Sequence, residues 1–202
     1  MRKTYIIVII SAVLLGLTVA LLPANDNSKE LSPDEMLLEL LDETRFFSSD
    51  EVAQLIISGD PSILLIDVRT PEEYAEFTLS GAINIPLDSI MNEDYEYIIN
   101  QQGMKNILFS NGTIYANQAW FLTKRLNYNN IYVLKGGLNN WFETIITPDK
   151  PESTKNQEAI DLYEFRKGAM QYFTGGGEII ESETSDIKVE IKKTEKKTGG
   201  GC

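Results

Sequence analysis

The hydrophobic and polar positions of this chain fall into stretches of different texture, and each texture predicts a different kind of element. Arg2 and Lys3 precede an apolar run from Tyr5 to Leu22, closed by Pro23 and the polar Asn25-Asp26-Asn27-Ser28. A basic start followed by such a run is an export signal. The run has about the shortest length, roughly 17 to 20 residues, that spans a bilayer as a helix. Leu22-Pro23-Ala24 is a poor small-x-small cleavage site, so residues 1–24 are expected to be an uncleaved signal anchor. The alternative is a cleaved signal peptide and a secreted domain. With the basic residues held in the cytoplasm, the chain after Pro23 lies on the extracytoplasmic side, periplasmic or extracellular.

Residues 25–45 read as a linker and an accessory helix. Ser32-Pro33-Asp34-Glu35 is a helix start: a capping serine, proline at the first helical position, then acids at the positive end of the dipole. The helix runs to about Asp42, and Met36, Leu37, Leu40 and Leu41 are predicted to share its buried face. From Phe46 the texture becomes an alternation of helix and strand. A helix capped by Ser48 or Ser49 runs through Ser58, and Gly59-Asp60-Pro61 turns the chain. Ile63 to Val68 is a continuous apolar run ending around Asp67, the pattern of a strand covered on both faces. Pro71 to Phe77 reads as a short acidic helix, Ala82 to Ile85 as a strand, and Leu87 onward as helix and loop. Ile107 to Phe109 is a third strand, leading through Ser110-Asn111-Gly112 into a long helix from Thr113 to Leu126. Ile131 to Leu134 is a fourth, ended by Gly136-Gly137, with a closing helix from Leu138 to Ile145.

Buried strands alternating with helices predict an α/β domain over residues 46–147, a parallel sheet with helices on both faces. Ligands of such sheets sit at the carboxyl ends of the strands, which directs attention to the Ser110 loop. Residues 148–175 are expected to form a C-terminal accessory helix, with Leu162, Phe165, Ala169 and Phe173 on one stripe. Residues 176–202 are expected to be a largely mobile tail carrying Lys188, Lys192, Lys193, Lys196 and Lys197 and ending in Gly199-Gly200-Gly201-Cys202.

Composition narrows the chemistry. Hydrophobic content of 43% and charged content of 24% are ordinary for a globular protein. The net charge of −12 repels phosphate backbones and argues against a nucleic-acid partner. There is no histidine, which removes Ser-His-Asp and Cys-His nucleophile systems and histidine-ligated metals. Cys202 is the only cysteine, so an intrachain disulfide and a cysteine-rich zinc site are both excluded. No cofactor and no metal is expected.

Three blocks then carry a resemblance. Leu64-Leu65-Ile66-Asp67-Val68-Arg69-Thr70-Pro71-Glu72-Glu73-Tyr74, then Ser80-Gly81-Ala82-Ile83-Asn84-Ile85-Pro86, then Tyr132-Val133-Leu134-Lys135-Gly136-Gly137-Leu138-Asn139-Asn140-Trp141, resemble the rhodanese family in order and spacing. Together they cover about Phe46 to Ile145. Asp67, Arg69, Gly81, Gly136 and Gly137 are expected to be scaffold residues, with a catalytic role for Asp67 and Arg69 as the alternative, since loop-ordering ion pairs resemble functional ones. Asp67 is expected to accept N–H groups of the following turn and Arg69 to pair with nearby acids. Gly81 is expected to permit a close approach, and Gly136-Gly137 a turn that most side chains forbid.

In active relatives the strand before the long helix ends in a cysteine, and the loop amides converge on its sulfur. Aligning Ile107-Leu108-Phe109 with that strand puts Ser110 at the cysteine position. The arginine and serine that often close the loop correspond to Tyr115 and Ala116, and the frequent glycine-histidine pair upstream to Phe77 and Thr78. A serine hydroxyl stays protonated near neutral pH and cannot hold a transferable sulfur, so conventional sulfurtransferase activity is not expected. Ser110, Asn111, Gly112, Thr113, Ile114 and Tyr115 remain candidates for binding, including a small anion held by loop amides.

Two functions from different classes follow. One is a catalytically inactive binding or scaffold module, anchored through residues 5–22 and contacting a protein partner. The other is a sulfur (persulfide) or thiol-redox carrier using Cys202. A flexible chain of the tail's length has an end-to-end distance of about 28 Å, enough to bring the thiol to the Ser110 loop. A disulfide-linked dimer through Cys202 is a third, weaker idea.

Overall fold

The elements form where the sequence supplies both the period and the punctuation. The computed structural model describes residues 2–20, 30–151 and 156–175, with side chains of the first stretch from residue 4 to 17. The tail, Cys202 included, lies outside the described residues, as does Pro23 at the end of the apolar run. Helix α1 spans Arg2–Ala20 and α2 spans Pro33–Leu41. They are followed by β1 (Phe46–Phe47), α3 (Ser49–Ser58), β2 (Ile63–Asp67), α4 (Pro71–Glu76) and β3 (Ile83–Asn84). Then come α5 (Glu93–Ile99), β4 (Lys105–Phe109), α6 (Thr113–Arg125), β5 (Ile131–Leu134), α7 (Gly137–Trp141) and α8 (Gln157–Thr174). Three helices open with reciprocal capping boxes, Ser32 with Glu35, Ser48 with Glu51 and Thr70 with Glu73. Each satisfies two backbone donors that a helix start would otherwise leave unpaired.

The strands form one sheet in the order β1-β5-β4-β2-β3, and every pairing is parallel. Side chains alternate across it as the pleat requires. Ile66, Val68, Leu108 and Val133 pack on one face with Ala116, Ala119 and Trp120 of α6 and with Ile99 of α5. Leu65, Ile107, Phe109 and Leu134 pack on the other with Val52 and Ala53 of α3, Trp141 of α7 and Ala169 of α8. The chain leaves β2 toward one sheet edge and β4 toward the other, so the β2–β4 boundary is the point where the winding reverses. There the loops after the two strands part and leave a crevice.

The structure corrects several expectations. The sheet has a fifth strand: Phe46–Phe47 pairs with Val133 and Leu134, and two residues are too few to show a period. The Ile107 strand begins earlier, at Lys105, and the Ala82 strand shortens to Ile83–Asn84. The closing helix is α7 followed by a π-helical turn, Phe142–Ile146. On α2, Met36 is buried and Leu40 packs beside it, but Leu37 and Leu41 are 56% and 71% exposed. On α8, Phe165, Ala169 and Phe173 face the core, whereas Leu162 is 40% exposed.

In α1 the described side chains, residues 4–17, are all exposed, Ile6, Val8, Val13 and Leu15 among them. Among the described residues, no helix is long and apolar enough to cross a membrane.

Candidate functional site

The crevice at the carboxyl ends of β2 and β4 is built from a polar network. Asp67, the last residue of β2, is fully buried. A buried carboxylate is costly unless charge and hydrogen bonds compensate it. Here Arg69 does so twice over. Its backbone N–H donates to Asp67 Oδ1 at 3.0 Å, and its guanidinium NH2 donates to Oδ2 at 2.6 Å. Thr78 Oγ1 donates to the same Oδ2 at 3.0 Å.

The remaining donors of Arg69 tie in two other segments. NH1 reaches Asn111 Oδ1 at 3.1 Å, and NH2 also donates to the Phe77 carbonyl. With its side chain only 8% exposed, Arg69 has spent its guanidinium inside the network. Asn111 Nδ2 in turn donates to Glu73 Oε1 at 2.8 Å. Partial burial pushes the Glu73 carboxyl up, but the Asn111 amide, the Thr70 N–H and the Arg69 charge outweigh it and hold the carboxyl below its ordinary value. Asn84 Nδ2 fastens the same turn from β3, donating to the carbonyls of Asp67 and Arg69 at 2.9 Å each.

Ser110 follows β4 and is fully buried. Its Oγ donates to the Gly112 carbonyl at 2.6 Å, closing the loop on itself. The loop's own carbonyls are taken from behind: Leu138 N–H donates to Ser110 O and Asn139 N–H to Asn111 O, both at 2.9 Å. This approach explains the glycine pair. Gly137 has φ of +61°, and a Cβ there would collide with the Ser110 carbonyl. Gly136 has φ of +79°, and its N–H donates to Thr113 Oγ1 at 2.9 Å. Gly81 differs from expectation: it adopts φ of +80° with open space where a Cβ would lie, so backbone conformation and not close approach favours glycine.

Beyond the loop, α6 starts at Thr113 without a side-chain cap. Ile114 and Tyr115 stand 72% and 60% exposed beside the loop, while Ala116 is buried. The site therefore combines a rigid, internally satisfied loop with an exposed apolar pair at its mouth. A buried serine with its proton committed to a carbonyl, in a chain without histidine, offers no activated nucleophile. Among the described residues, no group of three histidine, cysteine, aspartate or glutamate side chains is placed to hold a metal ion.

Sequence reasoning placed Asp67, Arg69, the glycine pair and the loop, and the structure brings these together. It missed Glu73 and Asn84 as members of the network. Glu73 was visible as the fourth residue of Thr70-Pro71-Glu72-Glu73, a capping-box pattern, but its second contact, to Asn111, is tertiary.

A parallel α/β sheet with a buried Asp–Arg pair beside a short loop at the winding reversal defines the class. Residues 48–144 match the family model described as "Rhodanese-like domain", and this part of the chain is a rhodanese-like domain. It is similar to a probable molybdopterin-synthase adenylyltransferase of Pyropia yezoensis, 32% identical over 99 residues that cover 48% of this chain and 25% of that protein. A tRNA uridine(34) hydroxylase of Legionella pneumophila (strain Corby) is 29% identical over 103 residues, covering 50% of this chain and 40% of that one. This chain thus spans between a quarter and two-fifths of the length of these two curated relatives. Among solved structures, the human single-domain sulfurtransferase is 26% identical with a TM-score of 0.41, covering 50% of this chain and 96% of that one.

Proposed function

We propose that this rhodanese-like protein is a membrane-anchored, extracytoplasmic binding module that contacts a protein partner at the face of the Ser110 loop, without conventional sulfurtransferase chemistry there. The observation that carries the reading is Ser110 itself. By the rhodanese resemblance it stands where active relatives carry a thiol, and its hydroxyl is buried and donated to the Gly112 carbonyl. Arg69, the cation at the loop, is consumed by Asp67, Asn111 and Phe77, which leaves little to hold an anionic substrate. What the loop does present is apolar: Ile114 and Tyr115, the kind of surface that protein contacts use. The relatives' named activities, tRNA uridine(34) hydroxylase and molybdopterin-synthase adenylyltransferase, belong to those proteins, and a net charge of −12 fits a nucleic-acid substrate poorly. The anchor reading rests on the Tyr5–Leu22 run, which extends past the described side chains, and on the exposure of every side chain described in α1.

The second reading, a persulfide or thiol-redox carrier, is favoured by one fact: Cys202 is the only thiol in the chain. Intact-mass measurement of the full chain in detergent separates the two. The protein is exposed to thiosulfate and, separately, to a persulfide donor, beside its Cys202→Ser variant. The binding module gains no sulfur in either form. A reversible gain of one sulfur atom by the parent, absent from the variant, replaces that reading with the carrier. Alkaline extraction of membranes from expressing cells checks the anchor: an anchored chain stays in the pellet, and a chain released to the supernatant refutes it.

A further inference from the structure

The glycines in and behind the Ser110 loop are there for different reasons. Gly136 and Gly137 hold left-handed backbone, and a Cβ on them would collide with Asn140 and with the Ser110 carbonyl respectively. Gly112 is under neither constraint. Its φ of −131° is open to any residue, and a Cβ there would meet no atom within 4 Å among the described residues. What glycine supplies at this position is chemical: with no Cβ, it leaves the backbone nitrogen between Asn111 and Gly112 unhindered. Asn111 is the one asparagine of the chain that glycine follows, and the asparagine amide is among the labile groups of a protein.

Asn111 is exposed, and its amide is held between a cation and a carboxylate. Arg69 NH1 donates to its Oδ1 at 3.1 Å, and its Nδ2 donates to Glu73 Oε1 at 2.8 Å. Its backbone carbonyl accepts from the Asn139 N–H at 2.9 Å. These bonds fix the side chain toward Arg69 and Glu73 and the backbone toward α7. Attack by the Gly112 nitrogen on the side-chain carbon needs both to turn, so the network must open first.

We propose that Asn111 is a self-modification site, deamidating through Gly112 when this network opens, and that the product holds the loop open. The Gly112 nitrogen bonds to Asn111 Cγ, the Cγ–Nδ2 bond breaks, and the proton displaced from the Gly112 nitrogen leaves on Nδ2 as ammonia. Water then opens the succinimide ring at one carbonyl or the other, giving aspartate or isoaspartate. One water enters, one ammonia leaves, and nothing is oxidised or reduced. Aspartate at 111 still offers Arg69 an acceptor, but it turns an oxygen toward Glu73 where Nδ2 donated across 2.8 Å. Two carboxylates that close oppose each other's ionisation, so the tie between the loop and α4 becomes a repulsion. Isoaspartate instead adds a methylene to the main chain where packing has no slack, since a Cβ on Gly137 would already stand 2.9 Å from the Asn111 carbonyl carbon. The modification is independent of any partner that the loop contacts.

Peptide mapping of the full-length protein in detergent, aged in warm, mildly alkaline buffer, tests this. The amide-to-acid mass increase is followed on the tryptic fragment that carries Asn106, Asn111 and Asn117, and isoaspartate is detected by enzymatic methylation. Asn111 should convert ahead of the other two, and several-fold faster in Glu73→Ala, where the amide is released. Gly112→Ala should slow the conversion about tenfold, because its methyl crowds the attacking nitrogen. That methyl has room in the fold, so the variant should melt with the parent and its slower ageing is then a chemical effect. Hydrogen exchange of residues 110–113 and of α4 should quicken in the modified chain, and in a fresh Asn111→Asp variant without ageing. An intact Asn111 beside a converted Asn106 or Asn117, or equal rates in Gly112→Ala and the parent, overturns the site. A rate indifferent to Glu73→Ala overturns the restraint by the network, and unchanged exchange in the modified chain overturns the opening of the loop.

Discussion

Two arginines tie peripheral segments to this domain, and they do so in opposite ways. Arg69 binds the Ser110 loop through a fully buried carboxylate, with its donors distributed over Asp67, Asn111 and Phe77. Arg45 binds α2 through carbonyls and rings, with no carboxylate in close ion-pair contact among the described residues. Its NH1 donates to the last carbonyls of that helix, Leu40 at 2.7 Å and Glu39 at 3.4 Å, and its guanidinium carbon lies 4.5 Å from the ring centres of both Phe46 and Trp120. Arg45 Nε is buried with no hydrogen-bond partner among the described residues. The first arrangement is all-or-none, because removing either ion strands the other in a low-dielectric site. The second is a sum of modest terms, helix-end hydrogen bonds and cation–π contacts, that weakens by degrees. The loop face is thus held rigid, while the α2 face tolerates change.

The largest effect expected from this difference is at Arg69. Arg69→Ala leaves Asp67 buried and unpaired and should cost about 3 to 5 kcal/mol, read by urea denaturation, whereas Asp67→Asn with Arg69→Met together should recover much of it. A loss below about 1 kcal/mol for the single change would show that the pair is not the clamp described. Next is Gly137→Ala, which forces an L-residue into left-handed backbone against the Ser110 carbonyl and should cost about 2 to 4 kcal/mol. The same change at Gly81, where space is open, should cost only the backbone term, about 1 to 2 kcal/mol.

Arg45→Ala should cost about 1 to 2 kcal/mol and show as faster hydrogen exchange in α2, with the Ser110 loop unaffected. Glu73 gives a smaller, pH-dependent signature. Its folded carboxyl lies below the ordinary value of 4.5, so its contribution to stability is present above that value and lost as pH falls through the folded one. Glu73→Gln should flatten that acid limb of the stability–pH curve, and an unchanged limb would remove Glu73 from the network. Smallest of all, Leu38→Ser on the 70% exposed side of α2 should stay within about 0.5 kcal/mol of the parent.

Much of this architecture was legible along the chain because it is written in local terms. Ile63–Asp67 reads as a covered strand from its own apolar run, and Thr70-Pro71-Glu72-Glu73 announces α4 from its own cap. The Gly136-Gly137 pair likewise marks a turn by its composition, although the collision that bars a Cβ at Gly137, with the Ser110 carbonyl, is tertiary. Phe46–Phe47 was not legible as a strand, since its only partners are Val133 and Leu134, far along the sequence. Nor could the face of α2 be assigned: Leu37 and Leu41 match Met36 and Leu40 in hydrophobicity and period, and only the position of the sheet decides which pair is covered.

The site divides along the same line. The sequence by itself determined which residue follows β4, that no histidine exists to activate it, and that a single thiol exists elsewhere. These are matters of composition and order, and no fold can alter them. The tertiary structure alone decided that Ser110 is sealed by the Gly112 carbonyl, that Arg69 is spent, and that Asn111 is shared between Arg69 and Glu73. The sharing of Asn111 depends on segments some forty residues apart meeting within hydrogen-bond distance, and even the short-range bonds are decided over tenths of an ångström, a scale to which hydrophobic periodicity is blind.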